Sequence, residues 1–219
     1  MIDIGLIQQS MPYLIRGALV SLQIAALSCS IGFLLGTILG IIQSGHNKFL
    51  RHMVLIYTTI IRGTPMLIQI AFGYFLLPKL GINIPAFWVA IIVIGLNSSA
   101  YVSQIIRSGI SSVGKGQLEA AKVLGLTRWQ TTRYIVLPQA FSVVLPALSN
   151  EFVTMIKDSS LASTIGVMEL TKEATLIRSR IFDAFSIYAS VMLCYLIMTI
   201  SLSFILSKLE KRMTRHVSH

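Results

Sequence analysis

Five long apolar segments constrain the fold of this chain more than any other feature of its sequence. They cover residues 17–43, 53–77, 86–106, 140–156 and 182–206. A helix of roughly 20 apolar residues is long enough to cross the hydrocarbon core of a bilayer. Only 12% of the residues are charged, against about 25% in soluble domains. We therefore predict an all-α integral membrane protein, with five transmembrane helices in a single domain of residues 1–219.

The distribution of Lys and Arg predicts the orientation of these helices. The loops that follow the first, third and fifth segments hold most of the cationic residues, among them Lys48, Lys115 and Lys211. Positively charged loops stay on the cytoplasmic side, so we expect the N-terminus outside and the C-terminus in the cytoplasm. The net charge of +10 therefore does not imply nucleic-acid binding. No basic run is interleaved with aromatic residues, as a single-strand-binding groove requires.

The first apolar segment contains three glycines at intervals of four residues, Gly32, Gly36 and Gly40. Small residues at this spacing share one helical face and let two helix backbones approach closely. The spacing predicts a close helix contact within the chain, and a seam between two copies is the alternative.

A polar segment at residues 114–138 separates the third and fourth apolar segments and is predicted to face the cytoplasm. Gly116 can cap a first short helix, and Gly125 suits the left-handed conformation that ends one. Thr127 and Gln130 have the spacing of a capping box, so a second helix should begin there. An apolar stripe on the first helix consists of Leu118, Ala120, Ala121 and Leu124. Helices this short are not stable alone and should pack on the protein's own helix ends or on a partner.

The residues of this segment follow a defined order: Glu119-Ala120-Ala121, three residues, Gly125, nine residues, then Ile135-Val136-Leu137-Pro138. This order resembles the EAA motif of the permease subunits of binding-protein-dependent ABC importers. The resemblance implies the type I permease fold of these importers and a coupling helix that docks into a cleft of the ATPase subunit. It assigns this ATPase-coupling role to Glu119, Ala120, Ala121, Gly125, Leu126, Arg128 and Pro138.

The resemblance extends over most of the chain. The stretches at residues 57–69, 100–116 and 145–170 are similar to the polar-amino-acid branch of these permeases, which includes histidine, glutamine and arginine importers. Thr59 and Gln104 stand where that branch commonly has Glu. The resemblance therefore implies a subunit that imports a polar amino acid across the bacterial inner membrane.

The sequence lacks the motifs of a nucleotide site or a metal site. There is no Gly-x4-Gly-Lys-[Ser/Thr] phosphate loop, because Gly114-Lys115-Gly116 is without the rest of the motif. There is also no His-Glu-x-x-His or paired-cysteine set, so no metal is expected. We expect no cofactor and no enzymatic activity in this chain, with ATP and Mg bound by a separate ATPase subunit.

Three apolar segments carry polar residues at helical spacing. The three sets are Arg62, Pro65 and Gln69; Asn97, Tyr101 and Gln104; and Glu151, Thr154 and Asp158. Each set shares one helical face, and polar groups inside a membrane tend to face a cavity or each other. We predict a central polar cavity as the substrate pathway, and hydrogen bonds between helices are the alternative. The candidate substrate-binding residues are Gln69, Asn97, Ser98, Tyr101, Glu151, Thr154, Asp158 and Ser159.

Glu151 is the residue that most directly suggests a substrate. An isolated carboxylate in a membrane is costly unless it is paired, so it either pairs with Lys157 or Arg62 or receives a cationic substrate in a wet cavity. Asn150 directly precedes Glu151, and members of the family that transport basic amino acids tend to have this Asn-Glu pair. The leading expectation is therefore arginine, lysine or histidine, and glutamine or another uncharged polar amino acid is the alternative.

Five transmembrane helices are few for enclosing a pathway, so we expect a dimer of permeases, formed with itself or with a related chain. The resemblance implies two cytoplasmic ATPase subunits and an amino-acid-binding protein that meets the extracellular segment at residues 159–181. A small integral membrane enzyme and a secondary carrier remain the rival classes, and neither needs an ATPase partner.

Overall fold

The computed structural model describes residues 4–181 and 183–214, and within these ranges the ordered elements are all helical. Phe182, the first residue of the predicted fifth span, lies outside the described residues. The helices are α1 (Ile4–Ser44), α2 (Lys48–Arg62), α3 (Met66–Lys79), α4 (Ala86–Ser111), α5 (Lys115–Val123), α6 (Arg128–Thr131), α7 (Leu137–Asp158), α8 (Leu170–Ile181) and α9 (Ala184–Thr214). A π-helical turn (Thr132–Val136) precedes α7, and a 3-10 helix (Ser159–Ile165) follows it.

Four helical stretches of the described chain are long and apolar enough to cross a membrane, and a bent pair of helices could form a fifth span. The four are Gly5–Ser44, Ala86–Ser111, Arg128–Ile165 and Ala184–Met213. Most of these helices extend past the apolar segments, because a helix continues into the interface for as long as its backbone hydrogen bonds are made. The clearest case is α1, which has 41 residues and begins 13 residues before the predicted start of the first span.

The predicted second span is not one straight helix. It divides into α2 and α3, which meet at an angle of 103°. Pro65 caps α3 and follows Gly63, the residue that ends α2; proline cannot donate a backbone hydrogen bond and disfavours helix in the residue before it. The side-chain amide of Gln69 donates to the carbonyls of Ile61 and Thr64 at 2.7 and 3.2 Å, which compensates for backbone bonds lost at the break.

The three glycines of the first span lie on the face of α1 that packs on α4. A Cβ atom on Gly32 would meet Ser98 at 2.8 Å, and one on Gly40 would meet Ile106 at 2.7 Å. A Cβ atom on Gly36 would lie 2.5 Å from the Cβ of Val102. These distances are shorter than van der Waals contact, so the two backbones approach as closely as they do only because the side chains are absent. The glycine spacing therefore serves packing within the chain.

Replacing Gly36 by alanine should lower the free energy of unfolding by about 1–3 kcal/mol, the usual cost of overpacking a tight contact. The same substitution at Gly116 is the matched control, because a Cβ atom there would meet nothing within 4 Å. Thermal unfolding of the two purified variants in one detergent measures the difference. Equal stability of both variants would show that α1 and α4 can move apart without cost.

The first helix of the cytoplasmic segment begins two residues earlier than predicted. Gly114 caps α5, and Gly116 lies inside the helix, because a glycine without a side-chain acceptor gives no capping hydrogen bond that would fix the start. The predicted end is confirmed: Gly125 has φ +72°, and the amide of Leu126 donates to the carbonyl of Ala121 at 3.0 Å. This is the hydrogen bond of a Schellman motif.

The capping box at the start of α6 is confirmed. The amide of Gln130 donates to Thr127 Oγ1 at 3.2 Å, and the amide of Thr127 donates to Gln130 Oε1 at 2.8 Å. The helix continues from α6 through the π-helical turn at Thr132–Val136 into α7. Pro138 stands in the first turn of α7, where its missing amide proton breaks few helical bonds.

The segment between α7 and α9 is folded rather than an open loop. Gly166, with φ +85°, ends the 3-10 helix, and α8 then packs against α1 and α9 through Leu14, Leu170, Ala174 and Ile187. Glu169 is fully buried beneath the first turn of α8. This end of the molecule therefore presents a rigid helix on top of the long spans.

Candidate functional site

A polar cavity of about 530 Å³ lies between the broken helix, α4 and α7. Its described lining consists of Arg62, Gly63, Thr64, Pro65, Met66, Asn97, Tyr101, Glu151, Thr154 and Asp158. All three helices that carry the predicted polar faces contribute to it. The volume lies within the range of small-molecule sites, and the lining contains a cation, two carboxylates, three hydroxyls and an amide.

The wall formed by the helix break supplies the cation. Arg62 is the last residue of α2, and its guanidinium carbon lies 5.3 Å from the centre of the Tyr101 ring on α4. This is within the range of a cation–π interaction. The contact holds the arginine side chain in place. Its five N–H donors remain available to a ligand, because stacking on the ring face forms no conventional hydrogen bond.

The wall formed by α7 supplies the carboxylates. Glu151, Thr154 and Asp158 lie at i, i+3 and i+7 and all reach the cavity. The hydroxyl of Ser98 donates to Glu151 Oε1 at 2.8 Å, which leaves the second oxygen for another donor. Within the part of the chain that the structure describes, no ion pair joins Glu151 to Arg62 or to Lys157. Of the two alternatives for Glu151, pairing with a cation of the same chain is therefore absent among the described residues.

Three of the predicted substrate-binding residues do not line the cavity. Gln69 braces the helix break, and its Oε1 accepts a hydrogen bond of 2.9 Å from Asn97. Ser98 lies behind Glu151 and holds it in place. Ser159 is fully buried and donates to the carbonyl of Ile156 at 2.7 Å. The polar faces were derived for straight helices, and the break moves Gln69 out of line with Arg62.

Three of the lining residues, Gly63, Thr64 and Met66, belong neither to the candidate substrate-binding residues nor to the predicted polar faces. The sequence Gly63-Thr64-Pro65 was the available signal, because a glycine two residues before a proline marks a helix end. Gln104 is the opposite case, a predicted polar-face residue that does not reach the cavity. It donates instead to Gln43 Oε1 at 2.9 Å.

A second candidate site is the cytoplasmic surface of α5 and α6. Large apolar side chains are exposed there: Val123 (88%), Leu124 (75%), Trp129 (72%) and Tyr134 (69%). Of the predicted apolar stripe, Ala121 is fully buried in the chain, whereas Leu124 is exposed and could pack only on a partner. A contiguous apolar patch on a polar segment marks a surface that another molecule covers.

The residues predicted for ATPase coupling lie around this patch. Glu119, Ala120 and Arg128 are exposed, and Gly125 forms the turn between the helices. Leu126 and Pro138 are partly buried beneath it. The segment presents a short helix, a fixed turn and a ring of apolar groups, which is a shape suited to insertion into a cleft.

Comparison with known proteins identifies the architecture. Residues 32–215 match the family model described as the inner membrane component of binding-protein-dependent transport systems. The chain belongs to this family. It is a permease subunit of an amino-acid ABC importer, as the cytoplasmic motif indicated.

Curated relatives cover nearly the whole chain. The glutamine transport system permease protein of Escherichia coli is 40% identical over 213 residues, which is 96% of this chain and 97% of the relative. A putative glutamine transport system permease protein of Rickettsia conorii is 38% identical over 202 residues, covering 92% of this chain and 93% of the relative. These names do not confirm the expectation of a basic substrate and agree better with the glutamine alternative.

Solved structures show the same fold. A crystal structure of an amino acid ABC transporter with histidines matches with a TM-score of 0.90 and 38% identity, over 97% of this chain and 99% of the other. An inward-facing methionine ABC transporter matches with a TM-score of 0.73 and 21% identity, over 95% of this chain and 98% of the other. The permease fold is therefore shown, and membership of this family implies an ATPase, a substrate-binding protein and a membrane as partners.

Proposed function

We propose that this permease imports glutamine or a closely similar uncharged polar amino acid. The observation that carries the proposal is the distribution of charge in the cavity, with Arg62 on one wall and Glu151 and Asp158 on another. An amino acid is a zwitterion, so its two main-chain charges match these walls. The names of the relatives supply the preference for the amide side chain over a cationic one.

In this proposal each lining residue has a distinct role. Arg62 binds the substrate carboxylate through its planar fork of donors, and Asp158 accepts from the substrate ammonium. Glu151 and Thr154 face the side chain, where a carboxylate oxygen and a hydroxyl suit an amide group. Asn97 and Tyr101 complete the wall on α4. Gln69, Ser98 and Ser159 act as supports of these residues and not as ligands.

A basic amino acid is the second candidate, because the free oxygen of Glu151 would equally accept a cationic side chain. The structurally similar amino acid ABC transporter was crystallised with histidines, which is a further reason to test a basic substrate. The two candidates differ in what they require of Glu151: a cation needs its charge, whereas an amide needs only an acceptor.

Uptake of labelled amino acids into vesicles that contain the complete importer and its binding protein tests the proposal. We expect glutamine to compete out other substrates, and the variant Glu151→Gln to keep glutamine uptake within about tenfold of wild type. The same variant should lower any uptake of arginine or histidine by about tenfold or more, which is the scale of one charge-assisted hydrogen bond. Preference of the wild-type complex for a basic amino acid would overturn the first candidate in favour of the second.

The cytoplasmic segment completes the proposed mechanism. We infer that the patch on α5 and α6 docks on an ATPase subunit that holds ATP and Mg, since the sequence has no phosphate loop of its own. Two permeases and two ATPases would form the complex, with the N-terminus of each permease outside the cell. An enzyme or a secondary carrier would not need this surface, so purification of the membrane-extracted protein without any ATPase would contradict the mechanism.

A further inference from the structure

A second cavity, of about 370 Å³, opens at the opposite end of the molecule from the cytoplasmic segment. It lies between the first turns of α1 and one face of α8, and it shares no lining residue with the cavity at Arg62. Its described lining consists of Gln9, Ser10, Tyr13, Arg16, Met168, Glu173, Leu176, Ile177 and Arg180. Neither the cavity at Arg62 nor the coupling surface uses these residues, although Met168, Glu173, Leu176, Ile177 and Arg180 belong to the segment that the resemblance assigns to the binding-protein surface.

The depth of this cavity follows from the length of α1. A helix of 41 residues is about 60 Å long at 1.5 Å per residue, or about twice the thickness of the hydrocarbon core. Arg16 directly precedes the first long apolar segment, so the turns before it lie at the level of the lipid headgroups. Tyrosine and arginine are the residues favoured at that level, and both occur here.

The charges of the cavity are arranged for a ligand that carries both signs. Arg16 and Arg180 are exposed, whereas Glu173 is only 8% exposed. Among the residues that the structure describes, the carboxylate of Glu173 has no hydrogen bond or ion pair. The only enclosed side-chain polar atom without a partner in the described chain is Thr37 Oγ1, so the oxygens of Glu173 stay open to the cavity. An incoming ammonium group could reach them while an anionic group bound the arginines.

We propose that this cavity binds the headgroup of an ethanolamine phospholipid of the outer leaflet. The phosphate binds Arg16 and Arg180, and the primary ammonium donates to Glu173. A lipid is favoured over a soluble zwitterion because Leu19, one turn below Arg16 on α1, is an apolar side chain that is 56% exposed. This side chain lies where an acyl chain of a bound lipid would run.

Such a lipid would connect two parts of the chain that otherwise meet through apolar contacts. Its phosphate would reach Arg16 on α1 and Arg180 near the end of α8, and its ammonium would reach the first turn of α8. The helix that lies on top of the spans would then be held at both of its ends. The site goes beyond the import of amino acids and stands independently of which substrate is carried.

Native mass spectrometry of the purified importer tests this proposal with three lipids of identical acyl chains. The lipids carry ethanolamine, choline or glycerol headgroups. We expect the ethanolamine lipid to be retained about tenfold more than the choline lipid, because a trimethylated ammonium cannot donate the hydrogen bond to Glu173. Glu173→Gln should abolish this preference, and Arg16→Gln or Arg180→Gln should lower retention of both zwitterionic lipids.

The control variant is Arg178→Gln, which removes an arginine from the same helix but outside the cavity. Arg178 lies over the ring of Tyr188 at 5.9 Å, so its loss should leave lipid retention unchanged. Equal retention of the ethanolamine and choline lipids by the wild-type complex would overturn the proposal, as would a preference for the glycerol lipid. Displacement of the lipid by soluble glycerophosphoethanolamine, by glutamine or by the binding protein at comparable occupancy would overturn the assignment to a membrane lipid.

Discussion

Replacing Leu124 by aspartate should abolish ATP-driven import while the permease itself remains folded. Leu124 is 75% exposed and stands at the end of α5, so a charge there costs the isolated chain little. In the complex the same charge would be placed in an apolar contact, where loss of a central anchor costs 2 kcal/mol or more, or about 30-fold in affinity. Co-purification of the ATPase with the tagged permease, followed by uptake in vesicles, measures the effect.

The chain offers a closely matched control for this change at Leu80. This leucine is 63% exposed and ends α3, and it is followed by Gly81 with φ +78°, as Leu124 is followed by Gly125. The amide of Ile82 donates to the carbonyl of Leu77 at 3.0 Å, which is again a Schellman motif. Leu80→Asp repeats the same chemical change at the other end of the molecule and should leave the ATPase bound. Equal loss in both variants would assign the effect to folding and not to docking.

Replacing Glu169 by alanine should destabilise the permease more than any other single truncation of an acidic side chain. The buried carboxylate accepts from the amides of Thr171 and Lys172 at 2.9 and 2.8 Å. It also accepts from the hydroxyls of Tyr195 at 3.0 Å and Ser21 at 3.3 Å. These contacts join α8 to α1 and α9, and several buried donors would lose their acceptor together. We expect a loss of about 2–4 kcal/mol, since each unsatisfied donor costs about 1–3 kcal/mol.

Thermal unfolding of the purified protein checks this value, with Glu119→Gln as the control because that carboxylate is exposed. Glu169→Gln should cost less than the alanine change, since one amide oxygen can still accept. A Glu169→Ala protein with wild-type stability would show that water replaces the carboxylate at no cost.

The same carboxylate predicts a pH dependence. Burial raises the pKa of Glu169 above its ordinary value of 4.5, and the hydrogen bonds from Thr171, Lys172, Tyr195 and Ser21 oppose that rise. A raised pKa means that the folded protein holds the proton more tightly than the unfolded chain does. The contribution of this group is therefore greatest in acid and falls as the pH increases above 4.5. The stability difference between wild type and Glu169→Gln should shrink towards neutral pH, and a difference that grows would contradict the direction of the shift.

Hydropathy predicted the membrane architecture because helices in a bilayer must satisfy their own backbone hydrogen bonds. Capping signals predicted the turn at Gly125 and the start at Thr127, because each involves a local geometry that few residues can adopt. The division of the second span was not predicted, since its apolar content is continuous across Pro65. A proline inside a membrane helix is compatible with a kink as well as a break, and the outcome depends on Gln69 and Asn97, which are distant in the sequence.

The sequence predicted a polar cavity between these helices but not all of the residues that line it. Glu151, Thr154, Asp158, Asn97 and Tyr101 all reach it, because helical spacing alone brings residues of one face together. Helical spacing could not show that the side-chain amides of Gln69 and Gln104 form hydrogen bonds to other helices. Glu169 was missed altogether, because a buried acid outside the apolar segments looks like any solvent-exposed acid until the fold brings Tyr195 and Ser21 to it.

The unbroken passage from α6 through the π-helical turn into α7 has a consequence for how the cavity can open. About 24 residues of continuous helix separate Thr127 from Glu151, a rod of roughly 36 Å. A displacement of the docking patch can be transmitted along this helix, which contains Pro146, to Glu151, Thr154 and Asp158, whereas Arg62 is carried by a helix with no such connection. The two acids would then travel while the arginine stays. An amino acid bound between Arg62 and these carboxylates would then be released because the two binding groups move apart, and not because either interaction becomes weaker.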